Sequence, residues 1–191
     1  MTKLGTRAAL LLDRDGVINE DRGYVHRIAD FAFVPGIYDL IGRARAADMA
    51  VIVVTNQSGI GRGLFSEAEF MHLTDWMLAR FAEKGTPIDH VYHCPYHPTA
   101  GLGEWRTDHP WRKPAPGMLL QAAQDFDLDL SVSAMIGDSP RDMQAALAAG
   151  VGCRIFVGAP PMENCYQAAN LEEAARIFDR WRAIRGPQID R

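Results

Sequence analysis

The chain has 191 residues, 48% of them hydrophobic and 23% charged, and its 20 Lys+Arg against 24 Asp+Glu give a formal net charge of -4. This is a globular composition that excludes a disordered or fibrous chain, and at this length roughly 70% of the unfolded surface can be buried without disulfide staples or a structural metal. The acidic balance argues against a nucleic-acid or membrane partner. Three cysteines, Cys94, Cys153 and Cys165, fit a reducing compartment better than a secreted disulfide framework, so the expectation is one cytoplasmic domain spanning 1–191.

In chain order, short apolar runs predict strands at 8–12, 50–55, 90–94, 133–136 and 154–157. The first run is too short for an export signal, and no stretch approaches the ~18 apolar residues of a membrane span. Helical periodicity predicts helices over about 36–47, 66–84, 116–126, 140–149 and 169–183. The second opens on the capping box Ser66-Glu67-Ala68-Glu69 and sets Phe70, Leu73, Met77 and Phe81 on one face. Gly150 follows the fourth as a C-terminal cap, and Leu171, Ala175, Phe178 and Trp181 make an apolar stripe on the last. Strands alternating with helices imply an α/β fold, a parallel sheet covered by helices on both faces, with ligands beyond the carboxyl ends of the strands. Two long connections, 18–35 and 95–114, depart from the alternation and read as functional loops.

The strand ends carry the chemistry. Asp13-Arg14-Asp15-Gly16 puts two carboxylates together, a pair that a cation such as Mg²⁺ would neutralise. Thr55-Asn56-Gln57-Ser58-Gly59 offers hydroxyls and free amides for an oxyanion. Arg112-Lys113-Pro114 fixes two cations before a helix, and Gly137-Asp138-Ser139-Pro140-Arg141-Asp142 supplies one more acid at a strand end. Asp142 falls in a first helical turn, where a capping acid is the ordinary reading. Alone, each of these segments also fits a solvated surface turn. Together they provide a nucleophile, a proton donor, a metal cage and positive charge, the inventory of phosphoryl transfer.

These segments resemble the four motifs of the haloacid dehalogenase (HAD) superfamily. With Gly23-Tyr24-Val25-His26, Cys94-Pro95, His97-Pro98 and Pro116-Gly117-Met118, the chain is similar to the heptose-1,7-bisphosphate 7-phosphatases within it, over about 8–157; histidinol-phosphate phosphatases share much of the pattern. The resemblance implies a Rossmann-like HAD fold without a large cap domain. It also implies Mg²⁺-dependent hydrolysis of the C7 phosphate of D-glycero-D-manno-heptose 1,7-bisphosphate, a step in supplying lipopolysaccharide precursors. By carry-over, Asp13 is the nucleophile and forms an aspartyl phosphate. Asp15 is the general acid and base, whose surroundings should keep a proton on it. Thr55 and Lys113 stabilise the phosphoryl oxygens. Mg²⁺ is held by Asp13, Asp138 and the backbone carbonyl of Asp15. Asp21, Arg22, Gly23, Tyr24, Asn56, Gln57 and Ser58 bind a small phosphorylated sugar, and Arg112 reads the phosphate that is not cleaved. A monomer is expected.

Two departures from the family pattern stand out. The second loop usually holds zinc through Cys-x-His and Cys-x-Cys pairs, but here only Cys94 and His109 remain as ligand types beside Tyr96 and Trp111, neither of which suits zinc. Aromatic packing by Tyr96, Trp105 and Trp111 is expected instead of zinc, with a rearranged set of Cys94, His97 and His109 plus His93 or Asp108 chemically open. Ser139 stands where the family often has Lys, which leaves open whether Arg141 compensates. Two rival readings are a receiver-type phospho-acceptor, whose acid would follow the third strand, and a HAD scaffold acting only as a binding module.

Overall fold

A computed structural model describes residues 7–185; residues 1–6 and 186–191, which the single-domain expectation includes, lie outside the described residues. Six strands form one sheet: β1 Ala9–Leu12, β2 Ala50–Asn56, β3 His90–Cys94, β4 Ala134–Gly137, β5 Cys153–Val157 and β6 Tyr166–Ala168. Their order is β3-β2-β1-β4-β5-β6, and every pairing is parallel. β1 lies at the centre. Leu12 pairs with Val53 on one side and Ile136 on the other, and the order reverses there, which opens a crevice beyond the carboxyl ends of β1 and β4.

The helices are α1 Ile37–Ala46, α2 Ser58–Gly61, α3 Glu67–Glu83, α4 Gly117–Asp125, α5 Pro140–Ala148 and α6 Leu171–Arg185. Alternate residues of β1 feed opposite faces: Leu10 and Leu12 pack with Ile37, Met77 and Phe178 of α1, α3 and α6, while Ala9 and Leu11 pack with Met118 and Met143 of α4 and α5. Both faces of the sheet are therefore covered, as the alternation predicts, and the uninterrupted apolar strands are what a doubly covered parallel sheet needs. No large cap domain interrupts the sheet among the described residues.

The α3 capping box is present in full, with Glu69 N–H donating to Ser66 Oγ and Ser66 N–H donating back to the Glu69 carboxylate. Phe70, Leu73, Met77 and Phe81 are all buried. At the end of α5, Gly150 at φ +77 lets its own N–H reach Leu147 O and the Val151 N–H reach Ala146 O, the paired bonds of a left-handed helix stop. Leu171, Ala175, Phe178 and Trp181 of α6 are buried against the sheet as expected.

The structure adds what the sequence reading did not contain. β6 and α2 are too short to show a period. The connection after β1 is folded back on itself: Glu20 N–H donates to Ala32 O and Val34 N–H to Ile18 O, with a 3₁₀ turn at Ile28–Asp30. Phe31 and Phe33 anchor it by edge and stacked contacts with Trp76 of α3.

Candidate active site

β1 ends at Leu12, yet the Asp13 N–H still donates to Ile136 O of β4 at 3.1 Å, so this carboxylate leaves the sheet anchored to the neighbouring strand. The Arg14 carbonyl then accepts from the amides of Val17, Ile18 and Asn19, making a tight turn through Gly16 at φ +81. A Cβ on residue 16 would stand 1.8 Å from Asp138 Oδ2. Glycine is required there both for the backbone angle and for closing the first strand end onto the fourth.

Asp13, Asp138 and Asp142 each bring a carboxylate oxygen to within 4.8 Å of the others. Lys113, fully buried, reaches among them with Nζ 3.0 Å from Asp13 Oδ1 and 2.6 Å from Asp142 Oδ1, and it donates to Val54 O at 2.7 Å. Two reciprocal bonds fix its backbone: Asn56 Nδ2 donates to Lys113 O and Lys113 N–H to Asn56 Oδ1, both at 3.0 Å. Burial first, and then Asp142, push Asp13 up to about 8, with Lys113 pulling the other way. Burial and then Asp142 raise Asp138 to about 6. Burial works to lower Lys113, but Asp13 and Asp142 outweigh it and hold the ammonium above its ordinary value.

One buried ammonium thus faces an excess of buried carboxylate, a cluster that a divalent cation balances. The donor set fits Mg²⁺: oxygen ligands only, converging where Gly16 leaves room. Asp142 already spends one oxygen on Lys113 and the other on the Ser139 N–H at 3.0 Å, which leaves Asp13 and Asp138 as the carboxylates facing a cation. The sequence reading of Asp142 as a helix cap is therefore correct and incomplete. The cap exists, but the side chain is buried because it also holds Lys113; its position one turn after Asp138 is the signal that could have shown this.

Asp15 is held by donors. Arg14 Nη2 lies 2.9 and 3.0 Å from its two oxygens, Asn19 Nδ2 donates at 3.0 Å and Gln57 Nε2 at 2.9 Å. Such partners orient the carboxylate. Thr55 is buried, and its Oγ1 accepts from the same Gln57 nitrogen at 3.0 Å.

These groups line a cleft of about 310 Å³ with Asp21, Gly23, Tyr24, Asn56, Ser58 and Arg141 in its wall. Of the residues expected at the substrate, Arg22 turns to Glu20 at 2.7 Å and does not join the wall. Asn56 and Gln57 do join it while also serving Lys113, Asp15 and Thr55. Arg112, expected at the uncleaved phosphate, does not line the cleft; its Nη1 donates to Tyr96 O at 3.0 Å. Arg62, which the sequence reading did not single out, donates to the Tyr24 hydroxyl at 2.7 Å and lies over its ring. Burial is the main influence holding Arg112 below its ordinary pKa, and Arg141 and Arg62 add to it, so the three guanidinium groups share one neighbourhood.

At the end of β3, Cys94 is buried in the core, and the loop that follows is packed by rings. Tyr96 stacks on His109 with centroids 4.1 Å apart, Trp105 packs on Tyr96, and Trp111 meets Tyr92 edge-on. The expected aromatic packing is what the structure shows. The acid pair follows the central strand and β3 lies at the sheet edge, an order unlike that of receiver domains, so that rival falls.

A HAD-hydrolase-like family model matches residues 110–158. The D-glycero-alpha-D-manno-heptose-1,7-bisphosphate 7-phosphatase of Burkholderia mallei is 53% identical over 149 residues, 78% of this chain and 79% of that protein. The chain belongs to the heptose-1,7-bisphosphate 7-phosphatase family. It is thereby a HAD phosphatase, an enzyme of the phosphoric monoester hydrolase class. A member of this family from Photorhabdus laumondii, named for the beta anomer, is 45% identical over 165 residues, covering 85% of this chain and 88% of its own. The crystal structure of D,D-heptose 1,7-bisphosphate phosphatase from B. bronchiseptica, complexed with magnesium and phosphate, superposes with a TM-score of 0.78 at 33% identity, covering 92% of this chain and 99% of that one.

Proposed function

We propose that this chain removes the C7 phosphate of D-glycero-D-manno-heptose 1,7-bisphosphate with Mg²⁺, by way of an aspartyl phosphate on Asp13. The observation that carries the bisphosphate reading is the charge around the cleft. Its floor is acidic, whereas Arg141 lies in its wall, Arg62 bonds to Tyr24 of that wall, and Arg112 is near enough to both for their charges to act on it. A second phosphate is attracted by such cations, while the ammonium of histidinol phosphate is repelled by them. Arg141 therefore supplies a cation that the Ser139 position lacks.

In this reading Asp13 attacks the phosphorus as the bond to the C7 oxygen breaks, and Asp15 gives its proton to that oxygen. Asp15 then takes a proton from water, whose oxygen attacks the phosphorus and releases inorganic phosphate from Asp13. Lys113 and Thr55 hold the phosphoryl oxygens, with Lys113 placed by Asp142 and Asn56. Mg²⁺, held by Asp13, Asp138 and the Asp15 carbonyl, supplies positive charge that offsets repulsion between carboxylate and phosphate. The protein acts as a cytoplasmic, one-domain monomer on a small sugar phosphate, without nucleic acid, membrane or zinc, in the supply of lipopolysaccharide precursors.

The test compares kcat/KM for both C1 anomers of the heptose bisphosphate with that for histidinol phosphate. A clear preference for a heptose bisphosphate is expected, and a preference for histidinol phosphate overturns the substrate assignment. Asp13→Asn should reduce turnover to background while circular dichroism stays unchanged, because Lys113 keeps Asp142 as its partner. Turnover retained in that variant removes Asp13 as nucleophile.

A further inference from the structure

Arg14 carries a buried charge that the steps above do not use. It is 1% exposed, and a single nitrogen, Nη2, makes all its side-chain hydrogen bonds: to both Asp15 oxygens and, at 2.7 Å, to Val25 O. Its Nε and Nη1 are buried without a hydrogen-bond partner among the described residues, and the guanidinium lies 5.6 Å from the centre of the Phe70 ring. Bare buried N–H groups on a cation are costly. An apolar residue packed on Phe70 would avoid that cost, so stability does not explain the choice. What the guanidinium achieves is a bridge. Val25 lies in the connection whose Asp21, Gly23 and Tyr24 form the cleft wall, and Asp15 stands on the floor.

We propose that Arg14 is a positioning residue that ties the Asp15 carboxylate to the backbone of the substrate-gripping loop, so that the proton donor and the cleft wall keep one geometry. The inference rests on the reading of Asp15 as the general acid. A placed proton donor matters only when the leaving group cannot depart as an anion. A sugar alkoxide needs the proton; nitrophenolate does not. Loss of the tie therefore changes the ratio of the two reactions, and kcat/KM reports the steps up to leaving-group departure, before water attacks.

The experiment measures kcat/KM for heptose 1,7-bisphosphate and for 4-nitrophenyl phosphate, with Mg²⁺, in wild type, Arg14→Gln, Arg14→Lys and Asp15→Asn. The ratio of the two constants comes from one preparation, so it does not depend on what fraction of a variant is folded. The sugar-to-aryl ratio is expected to fall on the order of 10- to 100-fold in both Arg14 variants, part of the ~10²–10⁴-fold that general acid–base catalysis supplies. Equal losses on both esters in Arg14→Gln would mean that Arg14 is merely structural and overturn the proposal. A wild-type ratio in Arg14→Lys would credit the charge alone and overturn the positioning role of the guanidinium. If the ratio falls in Asp15→Asn but not in the Arg14 variants, this inference fails and the general-acid reading stands. An unchanged ratio in Asp15→Asn removes that reading and this inference with it.

Discussion

Each aspartate of the Asp13-Arg14-Asp15 turn has a buried cation beside it, Arg14 for Asp15 and, shared with Asp142, Lys113 for Asp13, whereas neither pairs with Asp138. The imbalance has a measurable consequence. Asp13 at about 8 and Asp138 at about 6 hold protons more tightly in the folded chain than an unfolded aspartate does at about 3.9. The stability of the metal-free protein from these groups is therefore complete below the unfolded value and is lost as pH rises through about 6 and toward about 8. Mg²⁺ must displace those protons to bind. At a fixed Mg²⁺ concentration the rise in melting temperature should be larger at pH 8 than at pH 6, the two points these groups define. Equal shifts at the two pH values would contradict Asp13 and Asp138 as the ligands. The acids themselves were legible in the sequence because each follows a recognisable strand. That Lys113 serves both Asp13 and Asp142 was not, because these three residues meet only through the packing of distant segments.

Among the elements, the loop between β3 and α4 shows how a local motif can change its means of support. Tyr96, Trp105, His109 and Trp111 form a run of ring contacts where the family pattern places zinc ligands. Elemental analysis of purified protein should find no stoichiometric zinc, and Tyr96→Ala should cost roughly 1 kcal/mol or somewhat more in a denaturant titration, from lost aromatic pairing. Stoichiometric zinc, or a chelator that unfolds the protein, would point to a rearranged metal site. The longer elements were readable because α3 and α6 repeat their apolar positions often enough to define a face. Short β6 and α2 were not. The first is fixed by pairing with β5, and the second is flanked by bonds from Gln57 N–H to Cys94 O and from Leu102 N–H to Gly61 O, whose partners lie outside any short window of sequence.

For the whole molecule, a doubly covered parallel sheet gathers these groups beyond the carboxyl ends of its strands and separates charge across one cleft, with acids on the floor and the Arg141 guanidinium in the wall. The cleft is lined by residues of one chain, and the exposed apolar side chains Leu120, Leu147 and Ile184 lie on three different helices. Light scattering across a concentration series should return the mass of one chain; a stable dimer mass would overturn the monomer reading. The net charge of -4 hides the separation, since a sum carries no positions. The sequence by itself determined the fold class, the identity of the acids, the lysine and the hydroxyl, and the loss of the usual zinc ligands, because residue type and short-range period are local properties. Only the tertiary structure decided which cation serves which acid, that Asn56 and Gln57 brace the machinery while lining the cleft, and that Arg62 and Arg141 join Arg112. Those facts depend on strand order and on side chains that meet from segments far apart in the chain.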